Sequence, residues 1–366
     1  MKVPSIKLSY NEEQIAFVMS SMEKMLREGA FLSTGDYCNK FENEFAKYVS
    51  SKHAIATSSS TSALEILLRA YDVSNGKIIV STNTYPLAAS TILRTGCIPV
   101  FADIGDDLSM SVKSLKEKLS NDVKAVITMH PGGLISPELE ELRDICLNEQ
   151  IPLIEDAHYA HGSELNNKKA GILADGAVFS FFSPKPITTG EGGMITLNDQ
   201  EIFEKALYIK NIDHETAHKT EGYEWKMTEM QAIMGIVGLN VLEDGISKKG
   251  KIFKIFDEIL NSKVSILKPD SKVRYNNSKY IVFLPSEIDR ISLRKNLKEK
   301  YSVSLSGSVY EIPCHLQQPY VKYGSGKGSL PKAEKLCSNH VCLPIYPSMT
   351  DEEASYAAES FLSLLS

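Results

Sequence analysis

An α/β fold with a mostly parallel central sheet is what this 366-residue sequence predicts, on three observations. From His53 onward short apolar runs alternate with helical segments, the rhythm that lays strands side by side with helices on their faces. The run Ile151–Glu155 ends on an acidic pair, Glu155 and Asp156, and the C-terminal end of a parallel strand is where open α/β sheets bind ligands. A second apolar run, Ala177–Phe182, enters a loop punctuated by Pro184, Pro186, Gly190, Gly192 and Gly193, with Lys185 between the prolines.

Taken in order, Asn11 caps a helix running to about Arg27, because Ile15, Val18, Met22 and Leu26 share one face and Gly29 supplies the stop. A loop from Gly29 to Asp36 follows. The spacing then predicts strand His53–Thr57, helix Thr61–Tyr71, strand Ile78–Ser81, helix Pro86–Thr95 and strand Ile98–Ala102. Strands near Val123–Thr128 and Leu153–Glu155 flank a helix opened by Ser136 and Pro137. After Ile195 the pattern changes: helix Glu201–Ile209, a polar loop with His214 and His218, and a helical stretch from Thr228 to about Leu260 interrupted near Gly245 and Gly250. Short strands at Tyr280–Leu284, Val303–Leu305 and Val341–Leu343, with helices near Ile288–Glu299 and Asp351–Leu364, read as a smaller α+β domain. We divide the chain into a large domain with a helical N-terminal arm, 1–245, and a small domain, 246–366. Tyr323–Gly328, rich in Gly, Ser and Lys, reads as a mobile loop.

Net charge is −6 with no long basic run, which argues against a nucleic-acid partner. No apolar stretch reaches the length of a membrane span, and Met1–Glu13 is charged early and lacks a signal-peptide core, so a cytoplasmic protein is expected. Cys38, Cys97, Cys146, Cys314, Cys337 and Cys342 are scattered without a Cys-x-x-Cys pair and read as reduced thiols.

A lysine just past a buried strand loses its proton near neutrality, because desolvation disfavours the ammonium form, and Lys185 therefore suits Schiff-base chemistry. The same residues fit a solvated Pro/Gly loop. Thr57–Leu64, a hydroxyl-rich turn entering an apolar helix, points first-turn amides at an anion, although a plain cap with a Ser62 to Glu65 box reads identically. Tyr85, just after a sheet strand, offers a flat ring for stacking or for core packing. His130, His158 and His161 lack ligand spacing with carboxylates or cysteines, and no metal is expected.

The stretches Glu155–Gly162 and Ser180–Gly193 resemble the DegT/StrS family of nucleotide-sugar aminotransferases, pyridoxal phosphate (PLP) enzymes of the aspartate aminotransferase fold, fold type I. The family reads Glu-Asp-Ala-Ala-Gln-Ala-His-Gly, then Ser-Phe before the Schiff-base lysine and Gly-Glu-Gly-Gly, and the likeness extends from Gly29 to Leu343–Pro347. It implies that Lys185 holds PLP and shuttles a proton, and that Asp156 pairs with the pyridine nitrogen. It further implies that Tyr85 stacks on the ring, Tyr159 faces its hydroxyl, and Ser60, Thr61, Ser62 and Ser180 hold the phosphate. Phe31 and Gly35 fall in a family segment near the substrate. The resemblance implies an amino donor, glutamate in most of the family, and a keto-sugar acceptor linked to a nucleotide, with pyridoxamine phosphate formed in the cycle. It also implies a homodimer with shared sites.

Three departures stand out. Ser60 replaces a glycine, Tyr159 replaces a glutamine or histidine, and Gly222–Met227 carries Glu224 and Lys226 where the family has asparagine and arginine. A carboxylate cannot donate to a phosphate, so Glu224 is expected to turn toward Lys226 or Lys219. Lys185 argues against the sugar-dehydratase branch, which has histidine there. A PLP-binding regulatory or inactive homologue is the remaining alternative.

Overall fold

The computed structural model describes residues 1–211, 222–261 and 263–365. Helix α1 (Glu12–Glu28) starts as expected: Gln14 N donates to Asn11 Oδ1 and Asn11 N donates to Gln14 Oε1, each at 2.8 Å, and Gly29 closes the helix at φ 64°. Helix α2 (Asp36–Val49) has no counterpart in the sequence reading. Its N-cap, Gly35, has no side chain to give; Glu229 supplies the cap instead, accepting from the amides of Gly35, Tyr37 and Cys38 at 2.8, 2.8 and 3.1 Å.

The α/β alternation follows: β1 (His53–Thr57), α3 (Ser60–Ala70), β2 (Lys77–Ser81), α4 (Pro86–Arg94), β3 (Ile98–Ala102), α5 (Val112–Lys118), β4 (Val123–Met129), α6 (Leu139–Asn148) and β5 (Leu153–Asp156). A small hairpin, β6 (Glu164–Leu165) and β7 (Lys168–Lys169), precedes β8 (Gly176–Ser180) and β9 (Gly193–Leu197). Then come α7 (Gln200–Lys210), α8 (Glu229–Asn240), α9 (Leu242–Leu260), β10 (Ser265–Ile266), β11 (Val273–Arg274), β12 (Tyr280–Phe283), α10 (Arg290–Tyr301), α11 (Pro331–Ser338), β13 (His340–Leu343) and α12 (Asp351–Leu362).

The seven-stranded sheet has the order β1-β9-β8-β5-β4-β2-β3, and only β9 runs against its neighbours. Alternate side chains serve opposite faces. Ala54, Ala56, Phe179 and Met194 join the core that contains Phe41, Phe45 and Phe181, whereas Ile55, Val178 and Ile195 join the core beneath α3 and α4. Both faces are therefore buried, which is why these strands read as short apolar runs. A three-stranded antiparallel sheet, β10-β12-β13, lies in the C-terminal part, where α9 and α12 pack together.

Several boundaries differ from expectation. The break between α8 and α9 falls at Val241, and Gly245 and Gly250 lie inside α9, where Pro347 and Asn277 approach them closely. Helix α6 begins at Leu139, because the Ser136 hydroxyl accepts from Glu138 N at 3.2 Å and holds a turn ahead of it. No strand forms at 303–305; Val303 makes a single parallel bridge with Val3. Strand β8 stops at Ser180. His214 and His218 lie outside the described residues. The proposed domain division at 245/246 falls within α9, which would then be the connection between the halves.

Candidate active site

Strand β1 runs into the start of α3 through a turn stitched by its own hydroxyls. Thr57 Oγ1 donates to Ser59 O at 2.9 Å, and Ser58 N donates to Trp225 O at 2.9 Å. Ser59 is the N-cap. Ser62 N donates to Ser59 Oγ and Ser59 N donates to Ser62 Oγ, both at 3.1 Å, so the capping box is Ser59/Ser62. The expected Ser62/Glu65 box does not form; Glu65 is buried and pairs with Arg69 at 2.9 Å and Arg94 at 3.0 Å. Closing the box consumes both the amide and the hydroxyl of Ser62, whose Oγ donates to Ser59 O at 2.7 Å. Among the described residues the amides of Ser60 and Thr61 meet no acceptor, and these are the groups that a helix start offers to an anion.

Ser180, at the tip of β8, pairs in register with Gly193 of β9. Gly193 in turn lies against the α3 start: a Cβ there would sit 2.4 Å from Ser59 O and 2.6 Å from Ser60 N. Only glycine permits that approach, which brings the Ser180 end of the sheet beside the cup. Between Ser180 and Gly193 the chain makes the excursion that carries Lys185.

Asp156 ends β5, fully buried. Its Oδ1 faces His158 Nδ1 at 2.7 Å, and its Oδ2 accepts from Thr84 Oγ1 at 3.3 Å. Thr84 precedes Tyr85, the half-exposed N-cap of α4, whose ring lies 6.4 Å from that of Tyr310 at 30°. Lys185 Nζ sits 3.0 Å from the centre of the Tyr159 ring. The cup, Asp156, Tyr85, Tyr159, Ser180 and Lys185 thus share one end of the sheet. Phe31 is exposed, and Gly35 serves the start of α2.

The charges at this end are set by burial and by each other. Burial alone would push the Asp156 carboxyl up, but His158 and the charge of Lys185 outweigh it and hold the group below the usual carboxylate range. Burial drives the Lys185 amine well below its ordinary value, opposed by Asp156 and helped by Lys279. Burial, with Cys342, Asp156 and Tyr85, pushes the Tyr159 phenol up to about 12.

The neighbouring acid has another task. Glu155 accepts from Gly171, Leu173 and Ala174 amides and meets His130 Nε2 at 2.9 Å, so its carboxylate anchors the loop after β7. His158 and Lys279 join the site without a functional role assigned from the sequence. The signal for His158 is its place two residues after Asp156; Lys279 arrives from a distant segment and leaves none, and Tyr310 opens the segment Tyr310–Tyr320 that the sequence marks as shaping the choice of sugar. Among the described residues Glu224 is exposed and makes no ion pair with Lys226; Lys219 lies outside them.

A lysine amine and a buried carboxylate thus stand beside a helix start with free amides, at one end of a mostly parallel sheet. The model of the DegT/DnrJ/EryC1/StrS aminotransferase family matches residues 13–362. GDP-perosamine synthase of Escherichia coli O157:H7 is 31% identical over 336 residues, 90% of each chain. A pleiotropic regulatory protein of Geobacillus stearothermophilus is 30% identical over 369 residues, 98% of this chain and 97% of that one. The solved structure of Helicobacter pylori PseC, an aminotransferase involved in the biosynthesis of pseudoaminic acid, superposes with a TM-score of 0.90 at 23% identity over 100% of this chain and 99% of that one. The chain belongs to the DegT/DnrJ/EryC1/StrS aminotransferase family.

Proposed function

We propose that this chain transfers an amino group from an amino-acid donor, glutamate by the family resemblance, to a nucleotide-linked keto sugar in amino-sugar biosynthesis. The observation that carries the reading is that Lys185 Nζ, whose proton affinity burial lowers, lies 3.0 Å from the centre of the Tyr159 ring at the same strand ends as the fully buried Asp156 carboxylate, which His158 Nδ1 meets at 2.7 Å. The site fits pyridoxal phosphate: the unpartnered amides of Ser60 and Thr61 suit a phosphate, and the buried Asp156 suits a protonated ring nitrogen. Bound there, pyridoxal phosphate supplies the electron sink that stabilises negative charge on the substrate carbon.

The chain's own residues supply the rest. Ser60, Thr61 and Ser180 would hold the phosphate, with Ser62 acting through the cap rather than by direct contact. Asp156 would keep a proton on the ring nitrogen, and Tyr85 would cover one ring face. Tyr159, beneath the Lys185 amine, would steer it; its phenol stays protonated at neutral pH and remains a donor. Lys185 would anchor the cofactor, and its amine, once displaced by the donor's amine, would take the proton from the donor carbon and in the second half of the cycle deliver one to the acceptor carbon. We further propose a homodimer with shared sites working in the cytoplasm; the family-like segment Gly222–Met227 supports the first, and among the described residues no helix is long and apolar enough to cross a membrane.

The regulatory relative supports a second reading, cofactor binding without turnover. Borohydride reduction of the loaded protein should fix the cofactor to the peptide carrying Lys185, and Lys185→Ala should bind pyridoxamine phosphate yet lose turnover. A cofactor fixed to another lysine would overturn the assignment; loading without a glutamate half-reaction would favour the regulatory reading.

A further inference from the structure

A cavity of about 630 Å³ lies among the N-terminal segment Ser5–Asn11, helices α8 and α9 and the turn Ile345–Ser348, and Lys185 and Tyr159 form part of its wall. None of Ser60, Thr61, Ser62, Tyr85, Asp156 or Ser180 lines it, so it is a compartment apart from the cup at the start of α3. Its size suits a whole small-molecule ligand.

The wall is strongly one-sided in charge. Lys7, Lys185, Lys248, Lys249 and Lys279 line it against a single carboxylate, Asp244. Asp244 is already paired with Lys248 at 2.7 Å, and Lys279 Nζ donates to Ser306 O at 2.8 Å. Lys249, on α9, is only 6% exposed, and among the described residues no hydrogen bond or ion pair reaches its ammonium. A buried cation without a counter-charge is costly, and long stems normally carry such groups to water. This one lines a cavity where the carboxylate on the wall is already paired and Lys7 is a second cation without a counter-charge among the described residues. We infer that Lys249, with Lys7 on the same cavity wall, forms a subsite for the anionic group, carboxylate or phosphate, of a small ligand whose reacting end lies at Lys185. The placing of the reacting end rests on the function proposed above; the anion site does not.

A proton signature follows. Burial lowers the Lys249 ammonium to about 7. Around it stand Lys7, Lys185, Lys248 with Asp244, Lys279, Tyr10, Tyr159 and Tyr346 on the cavity wall, and buried His161, which feels the Lys249 charge. An anion favours the charged lysine, so binding raises its proton affinity: the complex takes up a proton near pH 7.5 and tightens as pH falls from 8 to 6.

The test is calorimetric titration of the purified protein with 2-oxoglutarate and, separately, uridine diphosphate, in buffers of different ionisation enthalpy. The expected result is binding of at least one probe with proton uptake. Lys249→Met should weaken it at least tenfold at pH 6.5 and remove its share of the uptake, and Lys249→Arg should stay within about threefold. Preference for the dicarboxylate assigns the subsite to the amino-acid side of the reaction, and preference for the diphosphate to the nucleotide side. Binding unchanged in Lys249→Met, wild-type binding without proton uptake, or binding of neither probe would overturn the inference; the wild-type measurement decides even if the variant fails to fold. Neither measurement needs turnover, so a chain that binds probes but transfers no amino group would refute the proposed function and leave the subsite standing.

Discussion

Asp156 owes its charge to a neighbour two residues along the chain. Out of water a carboxyl favours its neutral form, and a protonated Asp156 could not hold a proton on a ring nitrogen. The imidazole of His158 at 2.7 Å, with the amine of Lys185, reverses that preference. Asp156→Asn should keep the cofactor but slow the donor half-reaction at least a hundredfold, a loss followed by stopped-flow absorbance. His158→Ala should act differently. Removing it lets desolvation raise the Asp156 pKa, and a charge-assisted bond of about 1.5 to 3 kcal/mol corresponds to roughly one to two pH units. The acid limb of the kcat/KM profile should therefore move to higher pH, with activity near pH 8 largely retained; an unmoved limb would show that Thr84 and Lys185 suffice. Lys185 and Asp156 were legible in the sequence because strand ends and loop punctuation frame them. The sequence marks His158 only by its place two residues after Asp156, and its pairing with that carboxylate needed the fold.

At the scale of elements, legibility followed the origin of each boundary signal. Strands β1 and β3 begin and end where the sequence indicates, since apolar runs bounded by polar turns carry their own limits. The same holds for α1, whose cap residues are local. Helix α2 was invisible because its cap arrives from α8, 191 to 194 positions away. That dependence makes a prediction about stability. Glu229 is buried and accepts three amides at the start of α2, so Glu229→Ala strands these donors as well as removing a charge-assisted cap. The expected loss is about 2 to 4 kcal/mol, read as a fall in the denaturant midpoint at unchanged slope. A loss under about 0.5 kcal/mol would mean that water caps α2 equally well.

For the whole molecule the open question is what the segment Gly222–Met227 reaches. Within its own chain it is tied down: Ser58 N donates to Trp225 O, Thr57 bridges Lys226, and Trp225 stacks on Tyr223 at 3.8 Å. Glu224 bridges Asn211 through the backbone and leaves its carboxylate exposed. In the dimer we propose, the resemblance would aim this position at the partner's cofactor phosphate. Electrostatics forbids a carboxylate that role: at about 4 Å and an effective dielectric of about 20, two like unit charges cost about 4 kcal/mol, and a carboxylate has no proton to donate. In the site we propose, the phosphate would rest on the amides of Ser60 and Thr61 together with Ser180, with Glu224 turned outward. Glu224→Asn removes a negative charge and adds a donor, so its affinity for pyridoxal phosphate, followed by fluorescence quenching on reconstitution, should equal or exceed that of the wild type. An increase that disappears upon dilution to monomers would place the segment at the partner's site. An equal affinity at every concentration would confine it to its own chain, and a marked loss would mean that the carboxylate itself orders the cup.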